Sequence, residues 1–291
     1  MNTLLAHDHA SRRNRGVALM LASTVFFTAN VLLIRALGDF AAHNVWLISS
    51  TRFAVGLVLI ALVYRRECEP SHLFRNPRLA SRGLVGGLGV YGYYLTVVHL
   101  GAGRATFINN TYVIFGALLA VWLLRERFGF SIAAGSIAAL TGLALLTNAF
   151  AAGSRTSPYD LLAIAVALGS AFIVVTIRQL HATEHTSTIF AAQCVYGLLI
   201  CAVPSFLHPA PVPPLAWTLM LLAGLLAAAG QLAMTRAFRD LPVGEGSLLQ
   251  MLVPIGIAFG GFLFFDERFA RHELVGAALI LAGTTFTSLR R

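Results

Sequence analysis

"LLRERF" at 123–128 and "FFDERF" at 264–269 nearly repeat each other. Each closes a long apolar run, and each is followed by a second apolar run with glycines spaced along it. The two stretches stand 141 residues apart. A shift of that size also places Glu126 on Glu267, Phe128 on Phe269, Gly135 and Gly142 on Gly276 and Gly283, Gly56 on Gly197 and Gly83 on Gly224. A shift of 143 places "IRAL" (34–37) on "IRQL" (177–180). The chain therefore divides into two similar halves, 1–150 and 151–291.

Composition says where these halves reside. The chain has 291 residues, 57% of them hydrophobic and 11% charged, with a mean hydropathy of +0.77. A soluble domain carries about 25% charged residues, so there is too little polar surface here to coat a particle in water. Ten apolar runs reach the roughly 17–25 residues that span a bilayer: 16–36, 45–64, 83–100, 105–124, 131–149, 159–178, 188–207, 215–236, 244–264 and 272–289. The first follows Arg12, Arg13 and Arg15. It reads as a retained helix, because it is longer than a signal-peptide core and no A-x-A site ends it. The predicted fold class is thus an all-α membrane protein, with five spans in each half.

Five is an odd number. Two tandem five-span units enter a membrane in opposite directions, which predicts an inverted repeat with substrate bound near mid-membrane between the units. All 21 basic residues are Arg, which reads as base composition and a bacterial source. Fifteen of them fall on one side of the alternating loops and five on the other, with Arg52 inside span 2. The basic side is expected to be cytoplasmic, with both termini there. The formal charge of +9 is then a topology signal rather than a nucleic-acid footprint. Cys68, Cys194 and Cys201 have no metal spacing and are read as free thiols. No metal, cofactor or nucleic-acid partner is expected; membrane lipid and a small-molecule substrate are.

Ten spans, two five-span halves, the R/D-E-R-F signature after spans 4 and 9 and the Gly-spaced helix that follows resemble the drug/metabolite transporter superfamily, and within it the EamA-type bacterial exporters. The resemblance covers nearly the whole chain and implies a carrier in the inner membrane working by alternating access. Such exporters include aromatic amino-acid exporters, so the resemblance implies amino acids or related metabolites as cargo, with a drug or lipid translocator as the alternative. Two positions depart from the pattern. Asn44-Val45 stands where a proline often opens span 2. Pro254 is present in span 9, but its counterpart in span 4 is Val113.

The candidate site residues follow from what is polar inside the spans. Arg52 is the one charge well inside a span, and it is a candidate for a substrate carboxylate, a helix clamp or a side chain that snorkels outward. Asn30, Tyr91, Tyr94, Asn109, Asn110, Tyr112, Gln231, Thr235 and Gln250 are neutral groups that are costly in lipid unless satisfied. A shared cavity satisfies them, and so does helix–helix hydrogen bonding. Glu126 and Glu267 close helices at the end where the macrodipole disfavours an anion. They need cations, and Arg125, Arg127, Arg268 and Arg271 are the nearest in sequence. These glutamates are expected to gate each face, to bind a proton, or to seat spans 5 and 10. Pro254 is a candidate pivot. Every acid lies in a loop or at a span end, so the embedded carboxylate of a proton-coupled drug pump is missing. An intramembrane enzyme would need embedded catalytic groups that the spans lack. "HATEH" (181–185) matches an inverted zincin pattern but falls in a short loop, and the "NNT" sequon at 109–111 lies inside span 4.

Overall fold

The computed structural model describes residues 2–38, 45–100, 102–127, 129–149, 157–207 and 211–289. Within them the chain is helical, with no strand. The helices are α1 (Asn2–Ala36), α2 (Val45–Val63), α3 (His72–Arg75), α4 (Pro77–Leu100), α5 (Ala102–Asn110), α6 (Tyr112–Leu124) and α7 (Phe130–Leu146). They continue with α8 (Pro158–Leu180), α9 (Thr186–Leu207), α10 (Pro214–Asp240), α11 (Val243–Gln250), α12 (Leu252–Phe265) and α13 (Arg271–Leu289). Asn44 and Phe128, both used in reading the sequence, lie outside the described residues.

The ten apolar runs of the sequence fall on α1, α2, α4, the pair α5–α6, α7, α8, α9, α10, the pair α11–α12 and α13. Among the described residues, 8 of these segments are long and apolar enough to cross a membrane. The remaining two are α7 and α4. α7 has 17 residues, about 26 Å at 1.5 Å per residue. α4 has 24 residues, about 36 Å at 1.5 Å per residue.

Local sequence sets the helix ends. Ser157 and Asp160 form a capping box at the start of α8, with Pro158 in its first turn. The signature stretches end α6 and α12 in the same way. Arg125 (φ 54°) and Asp266 (φ 53°) are both left-handed and donate their N–H to Ala120 O and Gly261 O. A non-glycine residue in that conformation is uncommon, so its recurrence 141 residues apart marks one local structure used twice.

Spans 4 and 9 also break alike. Thr111 (φ −60°, ψ −13°) separates α5 from α6, and Met251 (φ −68°, ψ −4°) separates α11 from α12. In span 9 the break precedes Pro254, which cannot donate to the Gln250 carbonyl. Span 4 has Val113 there and breaks regardless. Its side chains supply the reason. Asn110 Nδ2 donates to Thr106 O at 2.8 Å and Thr111 Oγ1 to Ile108 O at 2.6 Å, and such back-bonding bends helices.

Packing runs between the halves. α1 lies along α10 and α4 along α8; α2 lies along α9 and α7 along α13. α6 packs on α8 as α12 packs on α1. Exchanging the halves turns each pairing into another on the list or into itself. The α7–α13 contact is closest. A Cβ at Gly142 would stand 2.5 Å from Gly276 O, and one at Gly276 2.5 Å from Gly142 O; Gly135 and Gly283 meet in the same reciprocal manner. Backbone touches backbone there, which only glycine permits. These four glycines, rather than the signature glutamates, seat the fifth and tenth spans.

Candidate functional site

Glu126 and Glu267 are not paired with the arginines beside them in sequence. Arg178 Nε stands 2.5 Å from Glu126 Oε1, and Arg35 Nη2 pairs with Glu267 Oε1. Arg35 and Arg178 are the arginines of "IRAL" and "IRQL". The two repeated motifs therefore meet as two copies of one salt bridge, each joining the first half to the second. The partners differ from the sequence expectation because a helix C-terminus aims its next residue away from its own neighbours and toward the adjoining span.

The two copies lie at opposite ends of the bundle. The end that holds Arg178–Glu126 also holds Arg13–Glu245 (2.5 Å) and the contacts of Glu184 with His72 and Asn76. The other end holds Arg35–Glu267 and the two-pronged Arg104–Asp160 pair, with both distances 2.9 Å. Arg13–Glu245 joins the start of span 9 to span 1, and Arg104–Asp160 joins the start of span 4 to span 6. These are equivalent joints with reversed polarity.

The ends are not in the same state. At the first, Arg178 Nη1 also donates to Phe238 O and Leu241 O, and Glu126 Oε2 accepts the Val243 N–H at 3.0 Å. That draws spans 4 and 6 onto the turn between α10 and α11, and α11 is buried from Val243 to Gln250. At the second end, among the described residues, the hydrogen bond that Arg35 makes is the one to Glu267. Arg35 also lies over the Phe265 ring at 4.4 Å. The Glu267 side chain is 41% exposed, against 16% for Glu126. Of the α5 side chains from Arg104 to Asn110, only Ala105 is buried. Arg35 holds the Glu267 carboxyl below the usual carboxylate range, chiefly through their hydrogen bond, which keeps it ionised at neutral pH.

Midway between the ends sit two amides. Asn109 Oδ1 accepts from Ser170 Oγ at 3.5 Å, and Gln250 Nε2 donates to Ser23 Oγ at 3.0 Å. Asn109 and Gln250 are again 141 residues apart. Each lies just before a helix break and ties the broken span to its neighbour, α8 or α1. Tyr112 faces Ser247 across the α6–α11 contact.

The other candidates scatter around this frame. Tyr91 stacks on Trp46 at 4.0 Å, and Tyr94 tilts against Tyr93, whose hydroxyl bonds Thr106. Asn30 Nδ2 donates to Ala223 O at 2.8 Å, a tie between α1 and α10. Asn110 is held by its own helix. Gln231 Nε2 and Thr235 Oγ1 are buried with no partner among the described residues. Arg52 is half-buried and makes no hydrogen bond or ion pair among the described residues. Pro254 is buried just beyond the second break.

One site residue escapes the sequence. Arg82 closes the charged stretch 65–82 and looks like a solvated loop cation, yet it is fully buried. Its Nη2 donates to Gln193 Oε1 at 2.9 Å, while Nε and Nη1 have no partner. Gly86 beside it leaves the space, since a Cβ there would stand 2.5 Å from Nη1. The only cue is that glycine, one helical turn on. The "HATEH" side chains go to separate partners: His181 to Thr235 O, Glu184 to His72 and Asn76, His185 to Ser187.

Residues 14–148 and 157–289 each match the model described as the EamA-like transporter family. Over 272 residues the chain is 27% identical to the pseudopaline exporter CntI of Pseudomonas aeruginosa, covering 91% of this chain and 93% of that one. Over 228 residues it is 29% identical to a probable terminal-alkyne amino-acid exporter of Streptantibioticus cattleyicolor, covering 74% and 76%. A solved crystal structure superposes with a TM-score of 0.74 at 18% identity, over 94% of this chain and 96% of that one. At that identity the likeness concerns the fold alone.

Proposed function

Because this chain belongs to the EamA-like transporter family, we propose that it exports small amino-acid-like metabolites by alternating access between two inverted five-span halves. It is a multi-pass membrane transporter, and transport rather than catalysis is the family's business. In the proposed arrangement ten spans cross a bacterial inner membrane, with the Arg178–Glu126 end and both termini cytoplasmic. The observation that carries the reading is the pair of equivalent salt bridges, one latched into a buried turn and the other exposed. Two copies of one latch in two different states are what a carrier shut at one end and open at the other requires.

The substrate is bound between the two helix breaks, where Asn109, Tyr94, Tyr112 and Gln250 offer neutral groups to an amino and a carboxyl function. Arg52 supplies a cation for the carboxylate. Gln231 and Thr235 lose their buried, unpartnered state when the latched end opens. Pro254 and the Thr111 turn are the pivots. The test is uptake of a panel of radiolabelled amino acids into proteoliposomes, with and without a pH gradient. Saturable uptake whose kcat/KM falls about tenfold in Asn109→Ala is expected. Saturable uptake unaffected by that substitution would place the cargo elsewhere.

One observation favours a second reading. A mostly apolar cavity of about 670 Å³ lies between α2, α9 and α10, lined by Ser50, Val55, Ala202, Phe206, Trp217 and others. An apolar lining of this kind suits an amphiphile. Ala202→Trp fills it, and should stop amphiphile transport while sparing amino acids.

A further inference from the structure

Gly16 lies where α1 crosses the end of α10. A Cβ there would stand 2.8 Å from Leu241 Cγ and 3.1 Å from Asp240 Cβ. The missing side chain lets two helices from different halves touch. It also brings Arg12 and Arg15, three apart on one face of α1, against Arg236 and Arg239 of α10. With Asp240 they line an open cavity of about 240 Å³.

Among the described residues, four guanidiniums and one carboxylate line it, and Arg12 has a further interaction of its own. Arg236 is half-buried, and its Nη1 is closed off with no hydrogen-bond partner. Arg239 and Arg15 repel it, and Asp240 attracts it. Among the described residues, Arg15, Arg236 and Arg239 make no hydrogen bond or ion pair. Like charges held around a cavity are unfavourable unless an anion joins them.

Height along the helices identifies the anion. The apolar run of α1 begins at Gly16, and that of α10 ends near Phe238. The cavity therefore lies where the helices leave the hydrocarbon, at the level of lipid phosphates. Arginine forks suit phosphate oxygens, and basic pockets between spans on the cytoplasmic side take anionic headgroups. We infer that this cavity binds the phosphate of an anionic membrane lipid and thereby bridges α1 of the first half to α10 of the second. The bound phosphate screens the repulsion among the four arginines and holds the latched end together. This rests on the proposed membrane arrangement, with this end at the cytoplasmic face, and not on the identity of the cargo.

The test uses the purified, delipidated full chain. Retention of phosphatidylglycerol is measured by native mass spectrometry, and thermal stabilisation is titrated with phosphatidylglycerol, phosphatidylcholine or inorganic phosphate. Arg236→Gln/Arg239→Gln should weaken phosphatidylglycerol binding about 30-fold, from the usual worth of a juxtamembrane arginine. Arg65→Gln/Arg66→Gln, on the same end and remote from the cavity, should leave it unchanged. If the first pair misfolds, Arg12→Gln/Arg15→Gln must give the same loss. Equal losses in the cavity and control variants would mean a diffuse charge effect and overturn the site. Equal stabilisation by inorganic phosphate without lipid retention would overturn the lipid assignment in favour of a free phosphate.

Discussion

Replacing Glu126 by Gln should open the latched end. The carboxylate takes Arg178 Nε at 2.5 Å and the Val243 N–H at 3.0 Å, and its side chain is 16% exposed. The Arg178 contact is an ion pair without hydrogen-bond geometry, so Gln keeps an oxygen for the Val243 N–H, removes the charge from that bond and gives up the ion pair. A charge-assisted hydrogen bond contributes about 1.5–3 kcal/mol and a neutral one about 1 kcal/mol. The variant therefore forfeits about 1–2 kcal/mol, felt only in the state in which the latch is closed. A difference of about 1.4 kcal/mol shifts a two-state population tenfold. The assay is labelling by a membrane-impermeant thiol reagent, with Cys68, Cys194 and Cys201 replaced by Ala. Single reporters at Ser247→Cys (buried in α11) and at its counterpart Thr106→Cys in α5 watch the two ends. Glu126→Gln should raise labelling at Ser247→Cys about tenfold and lower it at Thr106→Cys. Glu267→Gln, at the exposed pair, should cost at most about 1 kcal/mol in this state and shift the reporters the opposite way. Labelling that rises at both reporters, or at neither, would refute the latch.

The remaining predictions concern packing, pH and the site. Gly142→Ala places a methyl against Gly276 O and should destabilise by about 1–3 kcal/mol, read as a lower Tm in detergent; an unchanged Tm would mean that α7 and α13 do not touch. His72 and His181 titrate with opposite signs. The hydrogen bond to Glu184 raises the His72 pKa, so its contribution is full below about pH 6.5 and is lost as pH rises through the raised value. Burial pushes His181 down to about 4, so its neutral tie to Thr235 O is present above about pH 6.5 and is lost as pH falls toward 4, at a cost of at most about 3 kcal/mol. His181→Gln should therefore flatten the acid limb of a Tm–pH curve and His72→Gln the neutral limb; limbs unchanged in both variants would contradict the assignment. Asn109→Ala should lower kcat/KM about tenfold, the worth of one hydrogen bond, whereas Asn110→Ala, which frees only a carbonyl of its own helix, should act on stability instead, as separate transport and melting assays would show.

The repeat was legible because its marks are local. The left-handed turn after spans 4 and 9, the glycines of α7 and α13 and the "IR" dipeptides each depend on a few neighbouring residues. What they touch was not legible. Arg35 and Glu267 are 232 positions apart, and nothing local says that a helix-ending glutamate reaches across to the other half's motif. Arg104–Asp160 and Arg13–Glu245 were hidden further, since reversed polarity leaves no residue identity to align. The break in span 4 comes from Asn110 and Thr111 bonding back to carbonyls, a cue weaker than the proline of span 9. The burial of Arg82 was not legible because a charged stretch next to a helix looks solvated until the packing of α4 on α9 is known.

The most direct test of alternating access is a pair of distances measured by pulsed electron spin resonance in proteoliposomes. One pair of labels spans the Arg178–Glu126 end and the other spans the Arg35–Glu267 end. The account predicts two populations at each end, with the first distance long when the second is short, and substrate shifting both in opposite senses. Distances that lengthen together, or a single population at each end with and without substrate, would contradict it.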